Sequence, residues 1–331
     1  TPTAQPRRNN QSVSASGASA MHRAFVFPGQ GSQVVGMGRA PAAASPVARA
    51  TFEEVDDALG QKLSALMFDG PEDALQLTAN AQPAIMALSI AVLRVLESDG
   101  FRLADKAAYV AGHSLGEYSA LCAAGALSLA DTARLLKLRG TAMQAAVPVG
   151  VGAMAALLGA TIEQAEAAAR DAAQGETCTV ANDNAPGQVV ISGHKAAVER
   201  AIEIAKTLGV KRGMLLPVSA PFHCALMQPA ADAMAAALAT AALNGPFVPL
   251  VANVTAAPVT DADTIRGLLV EQVTGMVRWR ESVLAMAELG TECFVELGGK
   301  VVGPMIKRIT PELQVDHAGD MDSIEALAKG L

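Results

Sequence analysis

The sequence predicts an α/β protein with a largely parallel sheet, helices on both faces and a smaller βαββαβ unit inserted into it. Three observations predict this. Short apolar runs alternate with longer helical patterns through both ends of the chain. The middle of the chain has a strand-helix-strand-strand-helix-strand order of its own, that of a ferredoxin-like or split βαβ unit. A serine between glycines stands where an apolar run turns into a helix. With 331 residues, 51% hydrophobic, 17% charged and 3% aromatic, the chain has material for about two domains. Disordered, collagenous and coiled-coil classes are excluded.

The elements follow in order. Residues 1–20 are polar, and Arg7-Arg8 is followed by Asn-Asn-Gln-Ser rather than an apolar stretch, so neither a Sec nor a twin-arginine signal is expected. They read as a disordered extension or an expression remnant, with Met21 as the natural start. Ala24 to Phe27 is a buried strand that breaks into the turn Pro28-Gly29-Gln30-Gly31-Ser32-Gln33, which brings backbone N–H groups within reach of a ligand. Helical patterns occupy Val47 to Leu59 and Leu63 to Met67, and Gln82-Pro83-Ala84 leads into an apolar helix from Ile85 to Glu97. Ala107 to Ala111 is a second strand, ending at Gly112-His113-Ser114-Leu115-Gly116 before a helix from Glu117 to Ala126. Gly140 to Ile162 is uncharged but carries Gln144, Pro148, Gly150 and Gly152, which spoil a lipid-exposed helix, and it reads as buried core.

The inserted unit comprises strands at Val151 to Leu158, Thr177 to Ala181, Gln188 to Ser192 and Val210 to Val218, with helices at Ile162 to Ala173 and Ala196 to Leu208. The larger sheet resumes at Ala220. Its second half has helices at Pro229 to Ala242, Asp263 to Gln272, Trp279 to Leu289 and Val302 to Ile309, and strands at Val248 to Val254 and Cys293 to Leu297. The expected domains are residues 21–147 with 220–331, and the insert at 148–219.

A net charge of −7 and a pI near 5.3 argue against a general nucleic-acid binder. Cys122, Cys178, Cys224 and Cys293 lack metal or C-x-x-C spacing and read as reduced, mostly buried small side chains. No metal site is expected. These features suit the cytoplasm.

The pattern Gly112-x-Ser114-x-Gly116 is that of a nucleophile elbow, in which glycines let a serine occupy a sharp strand-to-helix turn with its Oγ exposed. The following helix N-terminus stabilises negative charge beside it. A plain N-cap would not require glycine on both sides. Of five histidines, His22 lies near Met21, His113 is expected to point away from Ser114, His194 precedes a helix of the insert and His317 lies in an acidic C-terminal loop. His223 remains. It sits in Ser219-Ala220-Pro221-Phe222-His223-Cys224, where the chain leaves the insert and a cleft should form.

Taken together, Phe27 to Gln33, Gln82-Pro83-Ala84, Gly112 to Glu117, Arg139, Asn182 to Gln188 and Pro221-Phe222-His223 occur in the order found in the malonyl-CoA:acyl-carrier-protein transacylases of bacterial type II fatty acid synthesis, which this chain resembles from about residue 22 to 320. The resemblance implies an α/β-hydrolase-like domain with a ferredoxin-like insert. It implies Ser114 as nucleophile, His223 as its base, and the backbone carbonyl of Gln272 as the group orienting His223, with no acidic third member. The N–H groups of Leu115 and Gln30 would form the oxyanion hole, each donor being worth ~2.7 to 4 kcal/mol. Arg139 could cap a helix C-terminus, but the resemblance implies a fork for the malonyl carboxylate. Phe222 would narrow the space beside the malonyl α-carbon, and Gln82, Asn182 and Asn253 match polar substrate-binding positions. The run Glu296 to Val301 is one residue shorter than the family's Gly-Pro-Gly loop.

Malonyl-CoA is thus the implied donor and the phosphopantetheine of a transient acyl carrier protein the acceptor, with no permanently bound cofactor and a monomeric enzyme. An acidic carrier must meet a local positive field, for which Lys211, Arg212, Lys307 and Arg308 are the candidates. The alternatives are a transacylase for another acyl group, a serine hydrolase or thioesterase, or a silent carrier-binding module. A hydrolase would show Ser, Asp or Glu, then a late His in chain order; a silent module need not retain Ser114, His223 and Arg139 together.

Overall fold

The computed structural model describes residues 21–331. The expected extension at residues 1–20 lies outside the described residues. In chain order the strands are β1 (Arg23–Phe27), β2 (Ala107–Gly112), β3 (Gly152–Leu158), β4 (Cys178–Ala185), β5 (Gln188–His194), β6 (Arg212–Leu215), β7 (Leu250–Val251), β8 (Pro258–Val259), β9 (Cys293–Leu297) and β10 (Gln314–Ala318).

The larger sheet runs β10-β9-β1-β2-β7-β8, parallel throughout except for β8, which returns antiparallel to β7. Its central strand shows why the run Ala-Phe-Val-Phe needs no polar side. Phe25 and Phe27 enter a core with Ile85, Leu121 and Val295, whereas Ala24 and Val26 enter a second core with Trp279, Phe294 and Val302. Alternation along a strand sends neighbours to opposite faces, and both faces are covered by helices. The helix Thr78–Ser98 is long and apolar enough to cross a bilayer by composition, but it is packed into the first of these cores, with 16 of its residues buried.

The smaller sheet is antiparallel in the order β4-β5-β3-β6. Helices Ile162–Ala173 and Lys195–Thr207 bury alanines and Val198 against its Val189 and Ile191 as a separate core. Thr161 and Gln164 close the first helix with a reciprocal capping box. The insert is bound to the larger unit through β4. Asp183 N–H donates to the Val277 carbonyl at 3.0 Å, Val277 N–H donates to the Ala181 carbonyl at 2.8 Å, and buried Asp183 pairs with Arg280 at 2.9 Å.

Several boundaries differ from the sequence reading. The long helix starts at Thr78, not Ile85, because Pro83 falls inside it and forfeits only the bond its N–H would give to Ala79. β4 runs on to Ala185, since its polar residues bond across to the larger unit instead of turning away. The expected strands Val210 to Val218 and Val248 to Val254 contract to β6 and the two-residue β7. His317 lies in β10, not a loop, paired with Glu296 of β9. Gly140 to Ile162 is not continuous core: the helix Leu129–Ala145 ends within it, and Val149 is 78% exposed in the turn that follows.

Candidate active site

Ser114 sits between β2 and the helix Gly116–Ala123 with φ 55°, a left-handed conformation uncommon for a non-glycine residue. The flanking glycines are required by close approach. A Cβ on Gly112 would stand 1.8 Å from the Gly116 carbonyl oxygen, and one on Gly116 would stand 2.4 Å from that of Phe27. The first glycine-rich turn lies against the same elbow, since a Cβ on Gly29 would meet the His113 carbonyl oxygen at 2.5 Å. Gln30 and Leu115 therefore both border the cleft. Neither of their backbone N–H groups has a backbone acceptor among the described residues.

His223 also has φ 55° and is 4% exposed. Its Nε2 lies 2.8 Å from Ser114 Oγ and its Nδ1 lies 2.9 Å from the Gln272 carbonyl oxygen. A carbonyl accepts only, so Nδ1 carries the proton and Nε2 faces the hydroxyl with a lone pair. Burial first, then the Arg139 charge, lowers the imidazole pKa to about 3. The ring is a neutral base held in one tautomer, which is what withdrawing a serine proton requires.

Arg139 projects from the helix Leu129–Ala145, six residues before its end, and is 1% exposed. Nη1 donates to Gln82 Oε1 at 2.8 Å; Nη2 donates to Gln272 Oε1 at 2.8 Å and lies 3.1 Å from Ser114 Oγ. Nε has no partner, and no ion pair is formed by this buried cation among the described residues. Burial lowers its pKa, with nearby Tyr118 and Glu117 opposing the shift. A helix-end cation would be solvated; this one is buried at the edge of the cleft.

The cleft, about 600 Å³ in volume, opens between the two sheets. Ser114, His223, Arg139, Gln82, Phe222 and Asn182 border it. Asn253 does not. It is fully buried beneath the elbow, where Oδ1 accepts from Ser114 N–H at 2.8 Å and from Gln272 Nε2 at 3.1 Å, while Nδ2 donates to the Gly112 carbonyl at 2.7 Å. The expected substrate contact of Asn253 is corrected accordingly, because its amide is spent on holding the turn.

His113 turns toward the insert: Nε2 lies 2.7 Å from Asn184 Oδ1, and the ring packs on Trp279 with centroids 5.7 Å apart. Lys211, Arg212, Lys307 and Arg308 are all exposed. Lys211 and Arg308, distant in sequence, lie beside Gly159 and Gly187 respectively, whose backbones are joined by a hydrogen bond of 2.9 Å. Lys307 Nζ donates to the Pro311 and Leu313 carbonyls, and Arg308 Nε to that of Pro186. The sequence reading missed the side chains of Gln272 and Glu117. Glu117, 1% exposed, accepts from Asn253 N–H at 2.7 Å and Gln272 Nε2 at 3.0 Å. It closes the motif that begins at Gly112, but an acid in the first turn of a helix is ordinary in sequence, so nothing marked a role for its side chain.

A serine hydroxyl facing a neutral imidazole, beside two cleft residues whose backbone N–H groups have no backbone acceptor among the described residues, has the makings of an acyl-transfer centre. The comparisons give that class a family. Residues 24–300 match the model described as acyl transferase domain. The chain is 47% identical over 304 residues to the malonyl CoA-acyl carrier protein transacylase of Escherichia coli (strain K12), covering 92% of this chain and 97% of that protein. It superposes on the acyl-carrier-protein-S-malonyltransferase from Bartonella henselae with a TM-score of 0.92 and 53% identity, covering 94% and 99% of the two chains. A malonyl-transacylase solved in complex with its type II PKS acyl-carrier protein gives a TM-score of 0.90 at 42% identity, with coverage of 94% and 100%. The chain belongs to the acyl transferase domain family and is an acyltransferase.

Proposed function

We propose that this protein moves a malonyl group from malonyl-CoA to the phosphopantetheine thiol of an acyl carrier protein through a malonyl ester on Ser114, supplying fatty acid synthesis. The observation that carries the substrate class is Arg139, a buried guanidinium without an ion-pair partner, 3.1 Å from Ser114 Oγ. The free carboxylate of malonate supplies the missing anion and accepts from the guanidinium fork.

In this cycle His223 Nε2 takes the Ser114 proton as Oγ attacks the thioester carbonyl. The Leu115 and Gln30 N–H groups receive the oxyanion. The C–S bond breaks, the imidazolium protonates the leaving thiolate and CoA departs as its thiol. The carrier thiol then gives its proton to His223 and attacks the Ser114 ester, restoring the hydroxyl. The Gln272 carbonyl fixes the tautomer in both halves. Gln82 holds Arg139, Phe222 borders the acyl site beside His223, and Asn182 lines its insert side. No permanently bound cofactor enters these steps.

For carrier docking, the proximity of Lys211 and Arg308 supports a single basic rim with Arg212 on the edge strand β6; Lys307, tied to two carbonyls, lies at the edge of it. The reading further takes the enzyme as a cytoplasmic monomer. The test is steady-state kinetics with malonyl-CoA and holo carrier protein. Parallel double-reciprocal lines, with no transfer to carrier lacking phosphopantetheine, are expected; intersecting lines would refute the covalent cycle.

A further inference from the structure

Glu117 lies behind the cleft and borders none of it, yet it is bonded to the residue on which the whole centre converges. Gln272 holds His223 with its carbonyl, Arg139 with its side-chain Oε1, and the Ser114 carbonyl with Nε2 at 2.9 Å. An amide side chain can face either way at little change in shape, and only one orientation puts an acceptor on Arg139. Nε2 has three acceptors around it: the Ser114 carbonyl, Asn253 Oδ1 at 3.1 Å and Glu117 Oε2 at 3.0 Å. Of these only Glu117 is an acid; burial pushes its carboxyl up to about 8, while the Asn253 N–H, the Arg139 charge and the Gln272 amide pull the other way, so its hold on Gln272 rests on where its two oxygens lie. Its other oxygen accepts from Asn253 N–H at 2.7 Å. Both oxygens therefore face N–H donors, which leaves no favourable place for a donor on either.

We propose that Glu117 is a positioning residue for the acyl-carboxylate site: by holding the Gln272 amide with its nitrogen inward, it keeps Oε1 on Arg139 and the guanidinium aimed into the cleft. This rests on the malonyl reading. The base is affected less, because His223 depends on the backbone of Gln272, which is fixed by the helix Ala262–Thr274.

The test is Glu117→Gln, nearly the same in shape. Its NH2 must face either the Asn253 N–H or Gln272 Nε2, and relieving the second clash by turning Gln272 over would place a donor against Arg139. Acylation of Ser114 from malonyl-CoA and from acetyl-CoA is compared in wild type, Glu117→Gln, Arg139→Ala and the double variant, with thermal unfolding as the control. The expected result is a malonyl-to-acetyl preference reduced at least about tenfold, with no further reduction when Arg139 is already absent. Should Glu117→Gln fail to fold, Gln272→Leu, which removes Oε1 but keeps the carbonyl, must lower the same ratio. An unchanged ratio in a folded variant, equal loss of both substrates, or a further change in the Arg139→Ala background would overturn the proposal while leaving the malonyl reading intact. A wild type without malonyl preference would overturn both.

Discussion

Replacing Arg139 by Ala removes a cation in contact with the Ser114 hydroxyl, and the structure sets the size of the effect. Nη1 and Nη2 are each held by one glutamine oxygen at 2.8 Å, so the fork is oriented before substrate arrives. A hydrogen bond to a charged group contributes about 1.5–3 kcal/mol. Two such bonds to a malonyl carboxylate give about 3–6 kcal/mol, or ~10²- to 10⁴-fold in kcat/KM at about 1.4 kcal/mol per tenfold. Acetyl has no carboxylate and loses only the contact between Nη2 and Ser114 Oγ. Its kcat/KM should change by less than about tenfold. The assay is release of CoA thiol from each donor with saturating carrier protein, alongside thermal unfolding. Stability should change little: Gln82 and Gln272 each lose a donor, but an expensively buried charge is also removed. A variant that keeps its preference for malonyl, or that loses both substrates equally, refutes the assignment of Arg139 to the carboxylate.

Four further outcomes follow from the same geometry. Because burial lowers the His223 pKa to about 3, kcat/KM for acylation should stay flat between about pH 7.5 and 5.5, where a base with the ordinary value of about 6.5 would lose about tenfold; a midpoint near 6.5 would contradict the buried neutral base. The same shift makes the unfolded chain the better proton acceptor below about 6.5, so His223 should reduce stability by about 1.4 kcal/mol per pH unit as pH falls from there toward 3, measurable by urea unfolding. Gly112→Ala should destabilise by about 3 kcal/mol or more, because its Cβ would stand 1.8 Å from a backbone oxygen; an unfolding midpoint near wild type would show that the elbow can relax. Reversing the charges of Lys211 and Arg212 should raise KM for carrier protein at least about fivefold, more at low salt, with acylation from malonyl-CoA unchanged; an unaltered KM would remove β6 from the docking surface.

Most of the architecture was legible because it rests on local patterns. The apolar run at β1, the turn after it and the glycine pair around Ser114 are contiguous, and the βαββαβ order of the insert survives errors in individual boundaries. The boundaries that failed depend on distant partners. β4 keeps its polar residues in strand because Val277 and Arg280 receive them, and β10 forms by pairing with β9; neither partner is near in sequence. The site divides in the same way. Ser114 announces itself by its neighbours, whereas Asn253 read as a cleft residue because sequence cannot say which side of a turn an amide faces. Glu117 was legible only as the end of the elbow motif and the start of a helix, since its partners Asn253 and Gln272 lie 136 and 155 residues away.

The central claim is a malonyl ester on Ser114 that is passed to a carrier thiol, and intact-protein mass spectrometry after brief mixing with malonyl-CoA tests it most directly. The account predicts a single malonyl adduct in wild type, none in Ser114→Ala, and complete discharge on adding holo acyl carrier protein. An adduct that persists in Ser114→Ala, or one lost to water at the same rate with and without the carrier, would contradict it.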